Sequence, residues 1–239
     1  MTTRILHVVT NVGHYADPTH PTGLWLTELT HGWHTFAEAG YEQVIVSPEG
    51  GKSPLEPRSL KWPNIDASGK EWLGDSAKMQ LLETTKSPGN IDARDFDAIY
   101  FTGGHGVMFD FPDAKEIQRI TREIFEAGGV VSAVCHGYCG LLETRLSNGD
   151  LLVKGRKLTG YSWVEEILAG VAKDVPYDVE QRMKDKGALY EKALIPFISK
   201  VVVDDRLVTG QNPGSAKATA QSVVKALNGQ SEVERTSGS

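Results

Sequence analysis

The sequence predicts an α/β fold with a mostly parallel central sheet and helices on both faces. Apolar runs of strand length alternate with segments of helical period, and strand, helix, strand in repetition builds a parallel sheet. Two of the runs end in unusual turns, Gly103-Gly104-His105-Gly106 and Cys135-His136-Gly137. Both turns fall at the edge where open α/β sheets assemble their sites.

Ile5-Leu6-His7-Val8-Val9-Thr10 reads as a first buried strand, and the polar loop 11–22 follows it. From Gly23 to Ala39 the period is helical, with Leu24, Leu29, Trp33 and Phe36 on one broad apolar face and Gly40 as the cap. Gln43 to Ser47 is a second strand. The stretch 48–88, rich in Gly, Pro and Lys, reads as an insertion or cap without a core of its own, holding Trp62, Trp72 and a short helix near Asp75 to Leu82. Phe96 to Thr102 is a third strand, Asp113 to Ala127 a helix, and Val130 to Val134 the strand that delivers Cys135. Beyond Gly149 the order is a short strand at Lys157-Leu158-Thr159, helices at Trp163 to Leu168 and Tyr177 to Lys186, a hairpin over Val201 to Thr209, and a last helix from Ser215 to Leu227. One domain over 1–228 is expected, with 229–239 a disordered tail.

At 239 residues such a domain can bury a substantial core. The formal net charge of -6, with no block of Lys or Arg, argues against a nucleic-acid partner. No apolar run reaches membrane-spanning length and the N-terminus lacks the long apolar stretch of a secretion signal, so a cytoplasmic location is expected and no membrane partner. The two cysteines, Cys135 and Cys139, form no disulfide framework, which suits a reducing compartment.

Cys135 falls where a buried strand ends and a helix begins. Such turns present a nucleophile in a strained backbone conformation, with helix N–H groups nearby to lower a thiol pKa and stabilise an oxyanion. A free cysteine at a strand end can equally be an inert small hydrophobe. His136 favours the first reading, because an imidazole beside a thiol can serve as its base or as the cation that stabilises a thiolate. The run Gly103-Gly104-His105 could offer backbone N–H groups to an oxyanion or bind phosphate, though it lacks the Lys-Ser/Thr of a P-loop. Glu28 reads either as a helix's solvated face or as a site carboxylate, and Glu165-Glu166 as first-turn acids or as site acids. His31, His34 and Glu38 have helical spacing that could ligate zinc, but half-buried helix histidines are commoner and no metal site is assigned.

Taken together, Ala-Val-Cys-His-Gly at 133 to 137, Thr-Gly-Gly-His-Gly at 102 to 106 and Phe-Asp-Phe-Pro at 109 to 112 resemble the ThiJ/PfpI superfamily. Within it the match is to the glyoxalase III and heat-shock chaperone branch, and Thr22-Gly23 with Glu28, Leu158-Thr159-Gly160 with Glu166, and 206–213 agree. The resemblance covers about residues 4 to 227. It implies a flavodoxin-like three-layer sandwich with a nucleophile elbow, in the manner of class I glutamine amidotransferases. By the same resemblance Cys135 is the nucleophile, His136 its acid/base neighbour, Glu28 the carboxylate reaching the thiol, and Glu166 the acid that orients the histidine. Gly103, Gly104 and His105 then form the oxyanion and substrate-binding loop, with Gly104 and His136 donating N–H groups. Where the branch usually continues with proline after Cys-His-Gly, this chain has Tyr138 and Cys139, so the pocket shape is expected to differ and Cys139 to be a second oxidisable thiol.

The resemblance further implies a cofactor-independent enzyme turning methylglyoxal or another small 2-oxoaldehyde into a 2-hydroxy acid such as lactate, as a homodimer. A deglycase, a holdase chaperone with Trp62 and Trp72 in its insertion, a cysteine peptidase or amidase, and a redox sensor that oxidises Cys135 remain alternatives.

Overall fold

The computed structural model describes residues 2–237, with side chains to 229. Its elements in chain order are β1 (Arg4–Val8), α1 (Leu26–Glu38), β2 (Glu42–Val46), α2 (Ala67–Gly74), α3 (Ser76–Glu83), β3 (Ala98–Phe101), α4 (Val107–Asp110), α5 (Lys115–Glu126) and β4 (Val130–Val134). After them come β5 (Lys157–Leu158), α6 (Trp163–Leu168), α7 (Val179–Asp185), β6 (Leu189–Tyr190), β7 (Val201–Asp204), β8 (Leu207–Gly210) and α8 (Ala216–Ser237). Among the described residues a six-stranded sheet runs β2-β1-β3-β4-β8-β7, parallel except for the antiparallel β7–β8 hairpin.

Alternate residues of the central strands feed two cores, as the two-residue period of a strand requires. Leu6, Val8, Ile99, Phe101, Val131 and Ala133 face α5, whose Ile117, Ile120 and Ile124 supply one apolar stripe. Ile5, Ala98, Tyr100, Val130 and Val134 face the opposite way, toward Phe36 of α1 and Ala216, Ala220 and Val223 of α8. The strands are therefore covered on both faces, which is why they read as near-continuous apolar runs.

Three regions depart from the sequence reading. α1 begins at Leu26, not Gly23, because the chain before it is held extended: Leu24 donates to Pro54, accepts from Glu56, and Trp25 donates to Gly103. The insertion 48–88 has two helices and joins the core. Trp72 is fully buried with Leu24, Leu26, Leu29 and Leu82, whereas Trp62 is 87% exposed. A tryptophan in a Gly- and Lys-rich stretch carries no periodicity to show that α1 covers it. The last helix continues to Ser237, past the expected end at Leu227. No proline falls between Lys217 and Ser237 to stop it; Gly238 and Ser239 lie outside the described residues.

Candidate active site

The elbow at the end of β4 is built by strain and close approach. Cys135 sits at φ +56°, a left-handed conformation that a side chain adopts only when its surroundings enforce it. Those surroundings include Gly137, where a Cβ would lie 2.4 Å from the Phe101 carbonyl oxygen. The chain then turns through a 3-10 helix, Cys135–Leu141. Tyr138 donates from its hydroxyl to the Tyr161 carbonyl at 2.8 Å, and its ring lies against Gly160. Tyr161 is thereby held over the histidine, ring centroids 4.5 Å apart.

Around the sulfur stand the residues that the sequence singled out. Cys135 Sγ is 3.3 Å from His136 Nδ1, and His136 Nε2 is 2.7 Å from Glu166 Oε2. A carboxylate can only accept, so Nε2 carries the proton and Nδ1 is left to accept from the thiol. Glu166 also accepts from His105 Nε2 at 2.6 Å through its other oxygen. Although burial raises its pKa, the two histidines hold the Glu166 carboxyl well below the usual carboxylate range. It is an anion clamped between two imidazoles.

Glu28 lies on the buried face of α1 and not on a solvated one. Its Oε2 accepts from the Gly103 N–H at 2.7 Å, while Oε1 is buried without a conventional hydrogen bond and the carboxyl group interacts with the Cys135 thiol. Burial pushes the Glu28 pKa up to about 8, against the opposing effect of those two contacts. Burial and then Glu28 also push the Cys135 thiol up, which corrects the expectation of a lowered thiol pKa. In a dry elbow, loss of hydration outweighs the favourable His136 N–H.

The glycine turn is divided between two tasks. Gly103 gives its N–H to Glu28 and is not an oxyanion donor. Gly104, at φ +102°, lines the chamber over the thiol, and its N–H engages no other protein group among the described residues. Any side chain there would strike the Gly23 carbonyl at 2.2 Å. His105 is hydrogen-bonded to Glu166 through its side chain and also lines the chamber over the thiol. Cys139 is fully buried in the α5-side core and burial raises its pKa, so it is no exposed second thiol.

The thiol opens into a small chamber of about 60 Å³ lined by Trp25, Arg58, Gly104, His136, Tyr161 and their neighbours. Trp25, Arg58, Tyr161, Ala169 and Pro213 also line an outer cleft of about 580 Å³, so the two are joined. Arg58 and Tyr161 were not singled out from the sequence. Arg58 stands in the Pro-rich insertion, where no pattern links it to the elbow. Tyr161, beside the Gly160 motif, was the more discoverable.

His31 and His34 do not converge on one ion. His31 Nε2 meets Asp66 at 2.6 Å, and His34 Nε2 lies 3.7 Å from Glu71. Among the described residues the group able to hold a metal is His105, His136 and Glu166, with ligand atoms within 4.8 Å of one another. An ion there would compete with both N–H donations to Glu166.

Fold and site define an α/β protein with a cysteine elbow, in which a thiol, an imidazole and a carboxylate form one chain of hydrogen bonds. The DJ-1/PfpI family model matches residues 22–226, and the chain belongs to that family. Glyoxalase 3 of Candida albicans is 33% identical over 216 residues, 86% of this chain and 90% of that one. The glutathione-independent glyoxalase HSP31 of Saccharomyces cerevisiae is 36% identical with the same coverage. Among solved structures, the 24 kDa rapid encystment protein of Francisella tularensis superposes with a TM-score of 0.90 at 31% identity, covering 95% of this chain and 99% of that one. Glyoxalase III from Candida albicans gives 0.86 at 31% identity, covering 94% and 97%.

Proposed function

We propose that the protein is a cofactor-independent glyoxalase of the glyoxalase III type, converting methylglyoxal or a related 2-oxoaldehyde into lactate or the corresponding 2-hydroxy acid. The observation that carries this reading is the Glu28 carboxyl beside the Cys135 thiol at the base of a small chamber of about 60 Å³. The similarity to glyoxalases over most of the chain supports it.

His136 Nδ1 takes the thiol proton, and Glu166 stabilises the imidazolium that results. The thiolate adds to the aldehyde carbon, and the Gly104 and His136 N–H groups face the oxygen that becomes negative. Protonation of that oxygen by His136 gives a hemithioacetal. Ionised Glu28 removes the hydrogen from the former aldehyde carbon and returns it to the neighbouring carbon through an enediolate, leaving a thioester. Water hydrolyses the thioester to the hydroxy acid and restores the thiol. No net oxidation occurs, since one carbon is oxidised as its neighbour is reduced.

The test is lactate formation from methylglyoxal without glutathione. Wild type should turn over, and Cys135→Ser should lose at least about a thousandfold in kcat. Lactate from the Ser variant at a comparable rate would sink the reading.

A holdase role is the second reading. Leu194, Ile195, Phe197 and Ile198 are half to fully exposed on one loop, a surface that a second copy in a homodimer or a non-native client would cover. We favour the homodimer, in the cytoplasm. Sedimentation as a monomer, with aggregation suppression intact in Cys135→Ser, would favour the holdase.

A further inference from the structure

We infer that Arg58, held by Glu56, is a positioning residue that fixes His105 as a neutral Nε2–H imidazole and so reserves the Glu166 charge for His136. The inference rests on the proposed roles of Cys135, His136 and Glu166.

Arg58 Nη2 lies 2.9 Å from His105 Nδ1, and a guanidinium can only donate. Nδ1 must therefore be an acceptor, and the single ring proton sits on Nε2, pointing at Glu166 Oε1 at 2.6 Å. A second proton on Nδ1 would confront the Arg58 cation directly. The two imidazoles flank one carboxylate with ring centroids 4.2 Å apart, so two imidazolium charges cannot share the site. Without a device to choose between them, Glu166 would support either ring. Only His136 adjoins the sulfur.

Arg58 is itself anchored. Its Nε donates to Glu56 Oε1 at 2.9 Å, and Nη2 also meets Glu56 Oε2 at 3.0 Å and Tyr15 Oη at 2.7 Å. Glu56 in turn accepts from Thr22 Oγ1 at 2.7 Å. The groups facing His105 are thus Glu166, His136 and Arg58, with the Tyr15 and Tyr161 rings 5.6 and 6.4 Å from its own. Burial raises the pKa of both tyrosines, which remain neutral phenols. Burial lowers His105 to about 4, with His136 and Arg58 adding to the effect and Glu166 opposing it.

The experiment follows the histidine ring nitrogens of the ¹⁵N-labelled full chain by NMR between about pH 5 and pH 8, without substrate, in wild type, Arg58→Lys and Arg58→Met. Lysine also only donates, so His105 should remain a neutral Nε2–H imidazole in wild type and Arg58→Lys. In Arg58→Met it should titrate, with a midpoint at least about one pH unit higher. Turnover should follow. A protonated His105 draws on Glu166 and disfavours the imidazolium at His136, so kcat of Arg58→Met should fall about twofold more than that of wild type by pH 5, with little change in KM. His105→Gln in the Met background should remove that additional fall and leave the wild-type pH profile, because Gln cannot protonate. If Glu56, left buried without its cation, prevents Arg58→Met from folding, Glu56→Gln/Arg58→Met removes both charges and is read in the same way. An Nδ1–H tautomer in wild type, unchanged His105 titration in the Met variant, or an equal loss of kcat at every pH would overturn the inference. The NMR result stands whether or not lactate is formed.

Discussion

Glu28 is fully buried, and its charge works against the fold. Its folded pKa of about 8 lies above the ordinary value of 4.5, so the native state binds more protons than the unfolded chain between those limits. The stability it contributes is fully present below about pH 4.5 and is lost as pH rises through 8. Glu28→Gln should therefore gain on the order of 5 kcal/mol relative to wild type above pH 8 and nothing at pH 4, measured by urea unfolding at both pH values. Removing the C–H proton needs the ionised carboxylate, so kcat of wild type should rise toward pH 8, and Glu28→Gln should lose nearly all turnover at any pH. A variant that is both more stable and inactive would mark Glu28 as a functional group held at the fold's expense. Single residues were unevenly legible in the sequence. Cys135 and His136 announce themselves by adjacency at a strand end, and Glu28 and Glu166 enter through the family resemblance. Arg58 reaches the site only because the insertion folds back over it, which no local pattern records.

At the level of elements, the site depends on two sheet-edge turns that meet. The turn after β3 carries Gly103 and Gly104 under Gly23 and Trp25, and the turn after β4 carries Cys135 under the same segment. Gly104→Ala would combine a positive φ with a Cβ 2.2 Å from the Gly23 carbonyl. We expect it to lose at least about 2 kcal/mol of stability by chemical denaturation, and to lose activity because the Gly104 amide shifts away from the thiol. Asp110 offers a second test. Its Oδ2 accepts from the Asn11 N–H and Thr10 Oγ1, both at 2.8 Å, tying α4 to the end of β1. Asp110→Ala should cost about 1–3 kcal/mol through two orphaned donors while leaving the thiol chemistry intact, read by unfolding and by turnover of the folded fraction. The parallel strands and α5 were legible because burial on both faces, or a single apolar stripe, leaves a periodic trace. The two helices of the insertion were only half legible. Their buried faces rest on one large residue each, Trp72 and Leu82, and the start of α1 was displaced by backbone pairing with residues 54–56 that no sequence period encodes.

On the scale of the whole molecule, the chamber joins parts of the chain that are far apart: Trp25 before α1, Arg58 in the insertion, Cys135 after β4, Tyr161 and Ala169 around α6, and Pro213 before α8. On the proposed reading the inner chamber of about 60 Å³ takes the reacting carbons, and the outer cleft of about 580 Å³ takes whatever the substrate carries beyond them. On that reading methylglyoxal needs only the first, whereas phenylglyoxal places its ring in the second. Ala169 lines both and caps the exposed end of α6, so a larger side chain there narrows the passage without disturbing a core. Ala169→Trp should leave kcat/KM for methylglyoxal within about threefold of wild type and lower that for phenylglyoxal at least about tenfold, a difference of roughly 1–2 kcal/mol in transition-state binding. Equal losses for both substrates would mean that the outer cleft is only an entrance, and unchanged values for both would place the ring elsewhere. A selective loss would show that substrate range is set where the insertion and the C-terminal elements close over the sheet, while the chemistry is set at the sheet edge beneath.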